Sequence, residues 1–413
     1  MKHLFILFSA LTCVLSSFSQ IIWTEPAFPT QDQEVTLFYD ASMGNGELSG
    51  VVPVYIHTGV ITNLSTDNTD WQHVEGNWGT ADANVIMTPL GNNIHQFTFA
   101  GETLEAFYQL GGGETISALA MVFRNQTGST VGRLEDGGDI YYNLTDGSFS
   151  AIISSPETQS MAVQPGEEVE ITGQSSESAD LAFNVNGSEE TSSLSATGLN
   201  FTFSSDVSGE FEVEFVADNG IETITDTFTI VVLPAQVSES IPEGMLEGIN
   251  YINDNSVLFE LYAPGKENIF VIGDFNDWQL DLDYMMKLGD DGETFWLQVD
   301  GLMPNQEYRM QYSILSDNLK IADAYSPKIL DPWNDQWIEE ETYPNLLEYP
   351  TGLTSQPVTV FQTNAEEFDW TDDSFVRPSQ DKLIVYELLL RDFIDDHSYQ
   401  VLEDSLEYLS RLG

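Results

Sequence analysis

Short strand-like segments recur about every ten residues along most of the chain, and this spacing is the feature that most constrains its fold. Clear examples lie at 35–39, 52–57, 94–99, 119–123 and 140–143. Gly, Asn and Asp residues separate them, as tight turns require. At 211–215 and 227–231 apolar and polar residues alternate, which is typical of a sheet with one buried face. The pattern predicts a mainly β fold of tandem immunoglobulin-like β-sandwiches.

Two changes in composition divide the β-rich part of the chain. Ser and Pro residues interrupt the strand pattern near 152–165, and a second stretch rich in Ser and Pro covers 234–247. The middle segment contains no Trp, Tyr or His, so we interpret it as a spacer. We therefore expect sandwiches at 20–150, 160–235 and 246–360, and then a linker at 361–381.

The first nineteen residues have the features of a secretory signal peptide. Lys2 and His3 precede an apolar stretch at 4–15, and small residues lie before a cleavage point that would leave Gln20 first. This predicts a secreted, cell-surface or periplasmic protein. A lipoprotein signal at Cys13 is the alternative, although the residues before it match that signal poorly. Because Cys13 is the sole cysteine, the mature chain would have neither disulfides nor a cysteine metal site.

The chain is strongly acidic, with 67 Asp and Glu against 12 Lys and Arg and a formal net charge of −55. Such a surface repels nucleic acid and anionic lipid, so we expect neither as a partner. Two acidic clusters, 136–139 and 290–293, contain oxygen ligands that suit Ca²⁺. Their Asp and Gly residues also suit tight turns, which we prefer, so we predict no metal or other cofactor in this chain.

The last thirty residues predict one β-strand followed by one α-helix. Leu383–Leu390 is a nearly unbroken apolar run, typical of a parallel strand covered on both faces. A charged loop at 391–397 follows, and Ser398 is a suitable helix N-cap. Leu402, Leu406, Leu409 and Leu412 then continue with helical spacing.

Residues 385–413, VYELLLRDFIDDHSYQVLEDSLEYLSRLG, resemble the opening of the catalytic domain in the α-amylase family of glycoside hydrolases. The resemblance implies a (β/α)8 barrel, which needs about 250 residues, so 382–413 would be only its truncated start. The family's retaining mechanism uses two carboxyl groups about 5 Å apart, and both would lie beyond Gly413. We therefore assign no catalytic residue to this chain and expect no hydrolysis by it alone. We interpret Asp392, Asp395, Asp396 and His397 as a solvated loop rather than as substrate contacts.

The third predicted sandwich contains a GDFNDW motif at 273–278 and two further phrases, at 295–314 and 320–335. In this order they resemble the N-terminal immunoglobulin-like domain of isoamylases, pullulanases and branching enzymes. The resemblance makes Trp278 a candidate secondary sugar platform. Packing of Trp278 against the strand at 295–297 is the alternative, and we prefer it because Trp is usually well buried.

The first predicted sandwich contains VYIHTGVITNLSTDNTDWQHVEGNWGT at 54–80. This segment resembles the starch-binding modules found beside bacterial amylases, which implies a sugar platform of His57, Trp71 and Trp78. An aromatic plane packs on the C–H face of a sugar ring, and a His nitrogen binds hydroxyls. Burial of both Trp residues in the core is the alternative, but the surrounding Asn, Asp and Gly favour exposure.

Together these patterns predict the N-terminal part of an exported glycoside hydrolase that acts on α-glucans such as starch, glycogen or pullulan. The expected partner is an α-glucan polysaccharide, with no membrane span after the signal peptide. A calcium requirement of the parent enzyme is left open. Two alternatives remain, namely a non-catalytic extracellular starch- or glycan-binding protein and a transglycosylase of the same family.

Overall fold

The computed structural model describes residues 21–99, 103–135, 137–156, 158–366, 369, 374–383, 385–394 and 397–412. The fold is mainly β, with several sheets that are consistent with immunoglobulin-like sandwiches. The chain divides into two compact units, Met1–Pro234 and Ala235–Gly413. The predicted signal peptide at 1–19 lies outside the described residues.

The first unit begins with a sandwich of two antiparallel sheets. Its strands are β1 (Ile22–Glu25), β2 (Thr36–Asp40), β3 (Tyr55–Thr62), β4 (Gln72–Glu75), β5 (Thr88–Gly91), β6 (Ile94–Thr98), β7 (Ile116–Arg124), β8 (Val131–Gly132) and β9 (Ile140–Asn143), and helix α1 is Leu104–Phe107. One sheet has the order β1-β2-β6-β5 and the other β4-β3-β7-β8, with β9 also paired to β7. Leu37 and Phe97 from the first sheet pack with Val60 and Leu119 from the second, so the apolar core lies between the sheets.

The rest of the first unit forms a six-stranded sheet. Its strands are β10 (Ala151–Ser155), β11 (Ser160–Val163), β12 (Val169–Val185), β13 (Ser188–Phe203), β14 (Gly209–Asp218) and β15 (Thr223–Val232). The order is β10-β12-β14-β15-β11, and β13 also pairs with β12. Val213 and Phe215 are buried while Glu212 is exposed, as the alternation at 211–215 predicts.

The second unit contains another sandwich. Its strands are β16 (Gly248–Asn253), β17 (Ser256–Tyr262), β18 (Ile269–Gly273), β19 (Lys287–Leu288), β20 (Thr294–Val299), β21 (Glu307–Ile314), β22 (Leu319–Ile321), β23 (Lys328–Leu330) and β24 (Val358–Gln362). One sheet has the order β16-β17-β20-β19, and the other has β18-β21-β24-β23 with β22 beside β21. Val257 and Phe259 pack with Met310 and Tyr312 between the two sheets.

The C-terminal segment departs from the prediction in one respect. The predicted strand at 383–390 is not formed in its described residues, and a short helix α2 covers Leu390–Phe393. Val385 is 83% exposed there, and none of the described strands pairs with this segment. An apolar run becomes a strand only where a neighbour binds its backbone N–H and C=O groups. The start of a barrel is therefore not evident in the described residues.

The predicted C-terminal helix is present as α3, Tyr399–Arg411. The Ser398 hydroxyl accepts a hydrogen bond from the Val401 N–H at 3.2 Å, so Ser398 is the N-cap. Asp395 and Asp396 of the preceding loop lie outside the described residues.

Candidate functional site

Strand β3 presents His57 on the outer face of its sheet. Side chains alternate along a strand, and Ile56, Thr58 and Val60 face inward with no exposed surface. His57 points the other way and lies between two indoles. Its ring centroid is 6.2 Å from that of Trp71 and 5.3 Å from that of Trp78. The fold thus brings together three residues that are separated by up to 21 positions in the sequence.

Trp71 lies on a floor of small side chains. It packs against Ala118 and Ala120, and its indole N–H donates to the Tyr141 hydroxyl at 3.3 Å. A Cβ atom on Gly59 would lie only 3.3 Å from the Cβ of Trp71, so the absence of a side chain there lets the indole approach the sheet. Trp71 is half-buried, and its orientation is fixed by Tyr141.

Trp78 is the most exposed member of the cluster, with 47% of its surface accessible. The Arg124 guanidinium lies 5.8 Å from its ring centroid and 5.0 Å from that of Tyr55. Gly128 lies in the loop between β7 and β8. A Cβ atom added to it would lie 2.7 Å from the indole nitrogen of Trp78. Trp78 therefore rests between a buried cation and a glycine, with one part of its ring system open to solvent.

Arg124 fixes the loop that carries Trp78. It is fully buried, and its guanidinium donates to the carbonyl oxygens of Asn77 at 2.8 Å and Thr80 at 3.1 Å. Because Arg124 is the last residue of β7, these two bonds tie the loop to that strand. The guanidinium also donates to the carbonyl oxygen of Asn125 at 3.1 Å. Burial lowers the pKa of Arg124, and these bonds stabilise its charged form.

Sequence reasoning missed Arg124 and Tyr141. A usable signal for Arg124 exists, since it follows directly on the apolar run Leu119–Phe123 in one strand. A charged residue at the end of such a strand must find partners for its donors when it is buried. Tyr141 lies in the motif IYY, which gives no comparable signal.

The geometry fixes the tautomer of His57. Its Nδ1 lies 2.9 Å from the carbonyl oxygen of Gly76, which can only accept, so Nδ1 carries the proton. Burial lowers the pKa of His57, and the charge of Arg124 lowers it further, while the bond to Gly76 acts in the opposite direction. At neutral pH the ring is therefore neutral, and Nε2 is an acceptor suited to a hydroxyl group.

Trp278, the fourth predicted site residue, is in the second unit and is 9% exposed. Its indole N–H donates to Asp274 at 3.1 Å, and Asp274 forms an ion pair with Arg309 at 2.9 Å. The GDFNDW motif is a closed turn at the end of β18, in which Asn276 accepts from the Gly273 N–H at 2.9 Å. The structure places Trp278 as a packed residue of this turn, with little surface left for a ligand.

The acidic cluster at 290–293 forms a turn, and the cluster at 136–139 is described only in part. Within the described residues no group of His, Cys, Asp or Glu could hold a metal ion. In the cluster at 290–293, the Asp291 carboxylate accepts from the Glu293 N–H at 3.0 Å and the Thr294 N–H at 2.9 Å. In the other cluster Asp139 pairs with Arg133, while Asp136 lies outside the described residues.

Helices of the described part of the chain are all too short or too polar to cross a membrane. No catalytic domain is evident in that part.

One part of the second unit matches a family model. Residues 247–334 match the family model of carbohydrate-binding module 48, the isoamylase N-terminal domain. The match supports a carbohydrate-binding module of the kind found in α-amylase-family enzymes. No curated protein matches the chain.

Three solved structures illustrate what the chain is similar to. The fibronectin(III)-like modules of Clostridium thermocellum CbhA share 21% identity, cover 20% of this chain and 95% of their own, and give a TM-score of 0.18. The I-band fragment I67–I69 of titin shares 12% identity, covers 69% of this chain and 88% of its own, and gives a TM-score of 0.17. Bacteroides uniformis beta-glucuronidase 3 shares 11% identity, covers 43% of this chain and 25% of its own, and gives a TM-score of 0.19.

Proposed function

We propose that this chain is the carbohydrate-binding part of an exported glycoside hydrolase that acts on α-glucans such as starch, glycogen or pullulan. The match of residues 247–334 to carbohydrate-binding module 48 carries the proposal, because that module is typical of α-amylase-family enzymes. The cluster of His57, Trp71 and Trp78 in the other unit adds a site whose chemistry suits a sugar. The strongly negative net charge of the chain favours a neutral polymer over an anionic one.

In this proposal the open part of the Trp78 ring packs on the C–H face of a glucose unit. The neutral His57 accepts a hydrogen bond from a sugar hydroxyl through Nε2, since Nδ1 is engaged with Gly76. Trp71 lines the same surface, and its contact with Tyr141 holds it in one orientation. A surface fixed in this way loses little conformational entropy on binding.

The parent enzyme would hydrolyse α-glucosidic bonds through two carboxyl groups of a barrel that follows this chain. Export by the signal peptide at 1–19 belongs to the same proposal. The chain itself would bind glucan without cleaving it, and it would hold the catalytic barrel close to the polymer.

The alternative is a non-catalytic extracellular protein that binds starch or another glycan. One observation favours it, namely that residues 385–389 form no strand and that Val385 is 83% exposed. The two proposals share the binding sites and differ in hydrolysis. Release of reducing sugar from soluble starch by the protein encoded by the complete gene supports the enzyme, and its absence supports the alternative.

Isothermal titration of the full chain with maltoheptaose tests the binding proposal. We expect Trp78→Ala to remove about 2 kcal/mol of binding free energy, close to a thirtyfold loss of affinity, because aromatic anchors dominate such interfaces. Trp23→Ala is the matched control. Trp23 is half-buried and stacks on Phe38 with centroids 5.2 Å apart, on the other sheet of the same sandwich. Equal affinities for all three proteins would refute the site.

A further inference from the structure

A cavity of about 490 Å³ lies in the long connection between β23 and β24 of the second unit. Most of its lining comes from residues after 334, where the family match ends. Asp331, Asp335, Glu340 and Tyr343 contribute polar groups to the lining. A volume of this size is within the usual range for small-molecule sites. The cavity therefore has room for a ligand that the family match does not assign.

The lining restricts the chemistry of that ligand. The lining contains four acidic residues, which would repel an anion: Asp331, Asp335, Glu340 and Glu348. They do not form a metal-binding group, since none exists among the described residues. Carboxylates and phenol groups suit hydroxyl groups, while Leu346 and Leu347 supply an apolar wall. A neutral polyhydroxylated molecule satisfies these conditions.

Trp337 lies in the sequence between two residues that line this cavity. Its sequence neighbours Gln336 and Ile338 both line the cavity, and Trp337 itself is 77% exposed. An exposed indole provides a flat apolar plane on which a sugar ring can pack.

The turn that carries Trp337 is held by its own hydrogen bonds. The Trp337 N–H donates to the Asn334 carbonyl at 3.0 Å, and the Asp331 carboxylate accepts from the Asn334 N–H at 3.0 Å. The Asp335 carboxylate accepts in turn from the Asp331 N–H at 2.9 Å. The backbone that carries Trp337 is thus fixed before a ligand arrives, which reduces the entropic cost of binding.

We propose that Trp337 and the adjoining cavity form a second saccharide site, for a neutral oligosaccharide chain. One sugar ring packs on the Trp337 indole, and the next enters the cavity, where Glu340 and Tyr343 bind its hydroxyls. This site goes beyond the proposed function, because it uses neither His57, Trp71 and Trp78 nor the GDFNDW turn. It gives the second unit its own contact with a polymer.

The test is a calorimetric titration of the full chain carrying Trp71→Ala and Trp78→Ala, with maltoheptaose and, separately, cellohexaose. We expect this double variant to retain binding to at least one of the two probes. Addition of Trp337→Ala should then weaken that binding about tenfold or more. Phe375→Ala, which removes another large side chain that is 72% exposed, is the control and should change nothing.

A second variant guards against an effect on folding. Glu340→Gln keeps an oxygen for the Asn345 N–H, which now donates to Glu340 at 3.1 Å, but it removes the negative acceptor. We expect unchanged thermal unfolding and a severalfold loss of affinity.

The outcomes separate this proposal from the proposed function. If the double variant binds neither probe while the unmodified chain does, the second site is refuted and the first stands. If the double variant binds as tightly as the unmodified chain and Trp337→Ala abolishes binding, the second site stands and the platform of His57, Trp71 and Trp78 is refuted. Unchanged binding after Trp337→Ala in the double variant also refutes the second site.

Discussion

Replacement of Arg124 tests whether the platform depends on a buried cation beneath Trp78. Arg124→Met keeps most of the apolar stem and removes the guanidinium. The carbonyl groups of Asn77, Thr80 and Asn125 then lose a charged donor at 2.8–3.1 Å. Hydrogen bonds to charged groups contribute about 1.5–3 kcal/mol each, but the exposed loop can rehydrate its carbonyls. We therefore expect a net loss of about 3 kcal/mol for the first sandwich.

This loss should lower the unfolding midpoint of the first sandwich by about 10 °C. Scanning calorimetry of the full chain measures it, since the other domains provide an internal reference. Arg124→Lys is the matched control, because it keeps the charge but lacks the planar guanidinium that reaches several carbonyl groups. It should lower the unfolding midpoint by less than Arg124→Met does.

The same replacement should loosen the backbone of the loop at 77–82. Hydrogen exchange should accelerate there and in the turn after β7, while exchange in β14 and β15 stays unchanged. Affinity for maltoheptaose should fall about tenfold, because Trp78 loses its support. An unchanged midpoint, with normal exchange in the loop, would refute the reasoning.

Two further predictions concern the first sandwich. Burial lowers the pKa of His57 and His95, so the unfolded chain takes up more protons once the pH falls below about 6.5. The free energy of unfolding should therefore decrease on acidification through that range, as urea midpoints at pH 7.5 and 5.5 will reveal, and equal midpoints would contradict this. Gly128→Ala should displace Trp78 and weaken glucan binding in calorimetry, whereas Gly113→Ala, equally strained but with open space around it, should not.

The prediction of a mainly β fold is confirmed. It could be made from the sequence because strands and turns depend on local patterns. The alternation at 211–215 determines which side chains of β14 are buried. Ser398 caps α3 through a hydrogen bond to a residue only three positions later in the sequence. The strand predicted at 383–390 does not form in its described residues, because strand formation needs a neighbour, which a local pattern does not provide. An apolar run shows that a segment favours the strand conformation, but it does not show that a neighbouring strand is present.

The candidate site shows the same division between local and distant causes. Aromatic residues in a turn-rich segment were a sufficient reason to select Trp71 and Trp78 as candidates. Their support was not predictable, because Arg124 contacts carbonyl groups more than forty positions earlier in the chain. The burial of Trp278 likewise depends on Asp274 and its ion pair with Arg309, which only the folded second unit brings together.

Affinity electrophoresis of the full chain is the most direct test of the central claim, that this protein binds α-glucan through His57, Trp71 and Trp78. Gels would contain soluble starch, pullulan or a mixed-linkage β-glucan. We predict retardation by the α-glucans and a much weaker retardation when Trp71→Ala and Trp78→Ala are combined in a chain that still folds. Migration that no α-glucan alters, or retardation that is the same with and without the two indoles, would contradict the account.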